Sequence, residues 1–131
     1  MNIRLLDTNI VSYIIKKHTL EKVYRRHLRG YKYAVSFQTV GELREGALSA
    51  NWGLRKQIEL NDFLDDCIVF YSNLRVSEIW AEVRYQRRHR MIETADAWIA
   101  ATALAYQLEL VTHNPADFAG IAGLGVISEA P

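Results

Sequence analysis

Cysteine is almost missing from this 131-residue chain, in which Cys67 stands alone. A single thiol excludes an internal disulfide, and with no Cys/His cluster around it a structural zinc site is excluded as well. Cys67 therefore reads as a small buried hydrophobe. Long apolar runs are also missing, so no segment is fit to span a bilayer, and the N-terminus lacks the charged-then-apolar order of a secretory signal. These absences set the expectation of a cytoplasmic protein with no membrane partner. Repeats, low-complexity tracts and linkers are lacking too, which leaves one domain over residues 1–131. Lys and Arg are absent from Met91 to Pro131, a stretch that carries the acids Glu93, Asp96, Glu109, Asp117 and Glu129.

What is present is the balance of an ordinary globular protein, with 50% hydrophobic and 24% charged residues. A chain of this length buries roughly two thirds of its unfolded surface and can fold without staples. The net charge of +1 hides an uneven distribution. Seven basic residues (Lys16, Lys17, Lys22, Arg25, Arg26, Arg29 and Lys32) lie against the single acid Glu21. A second cluster, "RYQRRHR", supplies Arg84, Arg87, Arg88 and Arg90. The asymmetry implies basic surfaces beside an acidic centre, although each of these residues taken singly also suits a solvated helix face.

Short apolar runs alternate with longer segments of helical period, the pattern of an α/β domain with a mainly parallel sheet. Strands are expected at Ile3–Leu6, Tyr33–Phe37, Ile68–Tyr71, Leu108–Thr112 and Val126–Ser128. Helices are expected from near Ile10 and over Leu20–Arg29, Val40–Ala50, Leu54–Asp65, Val76–Arg88 and Ala95–Tyr106. The last, "ADAWIAATALAYQ", is rich in alanine and nearly free of charge, so it should pack closely on the sheet.

Ligands of parallel sheets bind beyond the carboxyl ends of the strands. Asp7 falls at such an end, and Asp117 follows the strand "LELVTH" by the short loop "NPAD". Asp96 opens the alanine-rich helix, and Glu42 is expected in the first turn of the helix after the second strand. Each has a plainer role available: Asp7, Thr8 and Asn9 as helix caps, Glu42 and Asp96 as dipole partners, Asp117 as a turn former after Pro115. Four carboxylates facing one rim would repel one another unless a cation neutralises them. Oxygen donors without a Cys or His set favour a hard cation, Mg²⁺ or Mn²⁺. Thr8, Asn9 and Thr112 are placed to orient the carboxylates as outer partners, and Asn9 and Thr112 equally suit turns.

"LLDTNI", "TVGELREGA", "TADAWIAATALA" and "LVTHNPADF", in this order from Leu5 to Phe118, resemble the acidic motifs of PIN-domain ribonucleases, above all the VapC toxins of bacterial toxin–antitoxin pairs. The resemblance implies a three-layer α/β/α sandwich around a mainly parallel sheet and a Mg²⁺-dependent endoribonuclease in which a metal-activated water cleaves RNA. It assigns Asp7, Glu42, Asp96 and Asp117 as the acidic quartet, with Glu45 off the motif position. Asn114 stands where many relatives carry a second acid, so the fourth contribution lies between Asn114 and Asp117. The basic stretch "RRHRMIETAD" replaces a glycine-containing loop. The resemblance also implies a homodimer and a small VapB-like antitoxin that blocks the site.

If "YQRRHR" borders the acids, Arg87, Arg88 and Arg90 would hold RNA phosphates. Tyr13, Ile14, Ile15 and Trp80 are candidates for a dimer seam, or else ordinary core. Two other readings compete. One is a catalytically silent RNA- or protein-binding module of the same fold, which loss of an acid would favour. The other is a phosphate-hydrolysing or phospho-accepting domain with an aspartate after its first strand. Such sites commonly add a nearby acid and a late lysine; here Asn9 follows Asp7, and no Lys or Arg follows Arg90.

Overall fold

The computed structural model describes residues 2–131. Strands β1 (Ile3–Leu6), β2 (Lys32–Ser36), β3 (Ile68–Phe70), β4 (Leu110–Val111) and β5 (Val126–Ile127) form a sheet in the order β3-β2-β1-β4-β5. Every neighbouring pair is parallel. Between them run α1 (Thr8–Ile15), α2 (Glu21–Leu28), α3 (Phe37–Ser49), α4 (Leu54–Asp65), α5 (Leu74–Gln86) and α6 (Thr94–Ala105). A short 3₁₀ turn over Pro115–Phe118 leads toward β5.

Strand residues alternate between two faces, and this alternation builds the layers. Ile3, Leu5, Ala34 and Leu110 enter one core with residues of α5 and α6. Leu6, Val35 and Val111 enter the other, with residues of α1 to α4. The α/β/α sandwich expected from the sequence is thus the observed fold. Ala97, Ala100, Ala101 and Ala103 are fully buried, so the small side chains of α6 let the helix sit close to its neighbours. Among the described residues no helix is long and apolar enough to cross a membrane.

The strand order reverses at β1. β2 and β3 are added on one side, then α5 and α6 carry the chain back so that β4 pairs on the other. The carboxyl ends of β1 and β4 flank this reversal, where parallel sheets open a crevice.

Several boundaries differ from the sequence reading. Phe37 was expected to end the second strand, but the Ser36 hydroxyl accepts the Thr39 N–H at 3.2 Å and starts α3 at Phe37. Glu42 consequently lies in the second turn of α3, not the first. Asn73 caps α5 by accepting the Val76 N–H at 2.9 Å, so that helix begins ahead of Val76. Gln107, at φ 56°, turns the chain out of α6 and delays β4 to Leu110. Cys67 is half-buried against the α1–α4 core, and burial pushes its thiol up to about 12.

Ile14 belongs to the core and not to a surface seam. Tyr13 and Ile15, half-buried, pack on the same core. Trp80 is also half-buried, its ring stacked 4.9 Å from that of Trp98.

Candidate active site

The backbone passes from β1 directly into α1, and Asp7 sits at the junction. Its main-chain N–H donates to the Val111 carbonyl at 2.9 Å, which extends the β1–β4 ladder by one bond. The side chain caps α1, with Oδ1 accepting the Thr8 N–H at 2.8 Å. Oδ2 accepts the Thr112 hydroxyl at 2.7 Å and the Asn9 amide at 3.4 Å. Asp7 is 6% exposed, so both oxygens are fixed from behind. The capping role and the place at the rim coexist.

Thr112 and Asn9 tie this junction to the loop after β4. The Thr112 hydroxyl accepts the Asn114 N–H at 3.0 Å, and the Asn9 side-chain oxygen accepts the His113 N–H at 3.3 Å. Thr8 reaches α3: its hydroxyl donates to Glu42 Oε1 at 2.8 Å and lies 3.0 Å from the Thr39 hydroxyl. A hydroxyl has one hydrogen, so with Glu42 taking it, Thr39 must donate to Thr8. Thr39 is fully buried and absent from the sequence reading. The signal was the spacing Ser36, Thr39, Glu42, one helical face at intervals of three.

Asp96 lies in the first turn of α6, half-buried, and Asp117 lies in the 3₁₀ turn, exposed. A cleft of about 210 Å³ has both in its wall, with Arg87, Arg90 and Glu93. Burial pushes the Asp96 carboxyl up to about 7, and the charges of Asp7, Asp117, Glu42 and Glu93 push the same way. Asp7 is raised by burial and by Asp117, against the lowering effect of its bonds from Thr112 and Thr8. Glu42 is raised by burial and by Asp7 and Glu45, against its bond from Thr8. Thus the quartet read from the sequence is brought to one rim. Asn114 is exposed beside it, anchored by its main chain to Thr112.

Among the described residues none of these four carboxylates forms an ion pair with Lys or Arg. Nor do any three His, Cys, Asp or Glu side chains there converge tightly enough to grip an ion as they stand. The donor set nevertheless suits a hard cation: oxygen ligands only, with mutual repulsion that no neighbouring base relieves. Glu42 and Asp96 are half-buried and Asp117 is exposed, beside an Asp7 held on both oxygens. A roomier cavity of about 850 Å³ opens elsewhere, among Ile3, Tyr31, Lys32, Ile68 and Phe70, and has no acid in its wall.

The three arginines of "YQRRHR" do not share one environment. Arg87 is 7% exposed and all its hydrogen bonds go to main-chain carbonyls, so it is not available to hold an RNA phosphate as the sequence suggested. Arg88 is exposed, its guanidinium 4.0 Å from the Tyr85 ring centroid. Arg90 is exposed at the lip of the acidic cleft.

The chain matches the PIN domain family over residues 4–124. It is 30% identical over 122 residues to "Ribonuclease VapC2" of Haemophilus influenzae, covering 92% of each chain. It is 32% identical over 129 residues to "Ribonuclease VapC1" of the same species, covering 93% of this chain and 94% of that one. Its fold overlays a chain of VapBC2 from Rickettsia felis, solved bound to a DNA fragment from their promoter, with TM-score 0.84, 26% identity and coverage of 96% of this chain and 98% of that one. VapBC-1 from nontypeable Haemophilus influenzae gives TM-score 0.84 and 26% identity over 96% and 97%. The family match over nearly the whole chain and the identity to these ribonucleases agree with the rim of acids at the strand reversal: the chain belongs to the PIN-domain family, among the VapC ribonucleases.

Proposed function

We propose that this chain is the endoribonuclease toxin of a toxin–antitoxin pair and cleaves RNA at the rim of Asp7, Glu42, Asp96 and Asp117, with Mg²⁺ or Mn²⁺ as cofactor. The observation that carries the site is the mutual electrostatic crowding of four carboxylates with no basic partner among the described residues. A bound divalent cation would offset charge developing on the phosphodiester and acidify the attacking water.

The side chains divide the remaining work. Thr8 and Thr112 hold Asp7 with both oxygens oriented, and Thr8 holds Glu42, so two acids are set before substrate arrives. Asn9 ties the start of α1 to the loop after β4, and the Asn114 main chain closes that loop on Thr112. Burial and the neighbouring acids raise the Asp96 carboxyl to about 7, and a divalent cation held beside it would favour its charged form. Arg90 and Arg88 bear phosphates of the RNA strand flanking the site, offsetting the repulsion that an acidic rim alone would exert.

A VapB-like antitoxin restrains the enzyme by laying an extended segment over the rim, with an Arg pairing bidentately with the acids. The solved relatives are VapBC complexes, which supports such a partner. The chain acts as a homodimer. Tyr71 and Leu74, 70% and 76% exposed beyond the end of β3, supply apolar surface for its seam.

The test is to incubate the purified protein with RNA, with and without Mg²⁺, beside a small-molecule phosphatase assay. Cleavage of RNA only with the cation is expected. RNA binding without cleavage in either condition would instead favour the silent module, and phosphatase activity alone the phosphate-hydrolysing reading.

A further inference from the structure

Arg87 is a buried charge with no carboxylate partner among the described residues. Burying a guanidinium is costly unless its donors are satisfied, and here three of its five N–H groups donate to main-chain carbonyls. Nε donates to Arg90 at 2.8 Å, and Nη1 donates to Asp117 at 3.0 Å and Ala119 at 2.9 Å. Nη1 has two hydrogens, so both of its bonds can form together. The first bond folds the segment after α5 back on itself, ahead of the loop that leads to Asp96. The other two bracket the end of the 3₁₀ turn that carries Asp117.

Asp117 needs such a fixture more than Asp7 and Glu42 do. Asp7 and Glu42 receive hydrogen bonds on their carboxylates, whereas Asp117 is exposed and is held through its main chain, its N–H donating to Asn114 at 3.1 Å and its carbonyl accepting from Arg87. We infer that Arg87 is a positioning residue that sets Asp117 against the rest of the acidic rim, binding neither RNA nor metal itself. This rests on the reading that Asp117 belongs to the metal site. The planar fork suits the task because it reaches the carbonyls in fixed directions, which a Lys ammonium on a flexible stem cannot reproduce.

A double-mutant cycle on Mn²⁺ affinity, followed by electron paramagnetic resonance on wild type, Arg87→Lys, Asp117→Asn and the double variant, separates the possibilities. Arg87→Lys should weaken Mn²⁺ binding by about tenfold, the size typical of lost outer partners of a metal site. In the Asp117→Asn background the same change should have less than about a twofold effect, because the residue it acts through is gone. An equal loss in both backgrounds, or no loss in the first, overturns the positioning role. Unchanged affinity in Asp117→Asn alone would instead remove Asp117 from the site. Should Arg87→Lys not fold, Arg87→Gln, which can still donate to one of the carbonyls, replaces it in the cycle. Failure of both to fold makes Arg87 a purely structural residue and overturns the inference.

Discussion

Asp7 does two things with one carboxylate: it closes the N-terminus of α1 and it faces Asp96 and Asp117 across the rim. Asn at either Asp7 or Asp96 keeps the shape and removes the charge. Both variants should therefore fold, by circular dichroism, while RNA cleavage falls at least about tenfold, since losing a ligand costs no less than losing its outer partner. Wild-type cleavage by folded Asp7→Asn protein would sink the site assignment. The same residues predict a pH dependence. Asp96 moves from an ordinary 3.8 to about 7, and burial raises Asp7 and Glu42 in the same direction. A raised carboxyl holds its proton more tightly folded than unfolded. Its contribution to stability is full below the unfolded value near 3.8 and is lost as pH rises through about 7. Without divalent cation, the urea midpoint should fall between pH 5 and pH 8, and Asp96→Asn should flatten that fall. Adding Mn²⁺ at pH 8 should restore the midpoint, because the cation takes over the proton's role in relieving repulsion. A midpoint indifferent to pH in both proteins would count against the crowded carboxylates.

The elements decide which of these side chains meet. Helix α3 starts earlier than its apolar periodicity indicates because Ser36 caps it, and the shift moves Glu42 a turn along the helix, where Thr8 reaches it. Period and composition locate a helix; the cap that sets its first residue is a single hydrogen bond and is easily misread. The end of α5 is a second case. "YQRRHR" reads as one basic cluster, yet α5 stops at Gln86 and the turn that follows points Arg87 inward while Arg88 and Arg90 stay outside. Replacing Arg88 and Arg90 together by Ala should weaken RNA binding and reduce the slope of log affinity against log salt by about 1.4, at roughly 0.7 per phosphate contact on a single strand. Filter binding at graded KCl measures it. An unchanged slope would pass the RNA-binding role to the Lys16–Lys32 segment, where Lys22, Arg26 and Arg29 are exposed on and beside α2.

For the whole molecule, the parallel order β3-β2-β1-β4-β5 puts the ends of β1 and β4 side by side, and so joins residues more than a hundred positions apart, Asp7 and Thr112. All four acids of the proposed rim come from one 15.1 kDa chain. Light scattering should return twice the chain mass, with the exposed Tyr71 and Leu74 in the seam. Only the monomer mass at working concentration would refute the dimer.

The sequence by itself determined the sandwich, because the alternation of apolar strands and amphipathic helices has few ways to bury both faces of a parallel sheet. It also picked out the acids proposed for the site, Asp7, Glu42, Asp96 and Asp117, because they stand at strand ends and near helix starts beside the crevice of a parallel sheet. Only the tertiary structure decided how they are held. Thr39 behind Thr8, the Thr112 hydroxyl on Asp7, and Arg87 clasping the carbonyl of Asp117 are contacts between segments far apart in the chain, and local pattern carries no record of them. The same holds for the fate of a charge. Arg87 and Arg90 are three positions apart in one basic run, and one is buried and the other exposed because the turn after α5 closes over the first against the Pro115–Phe118 segment.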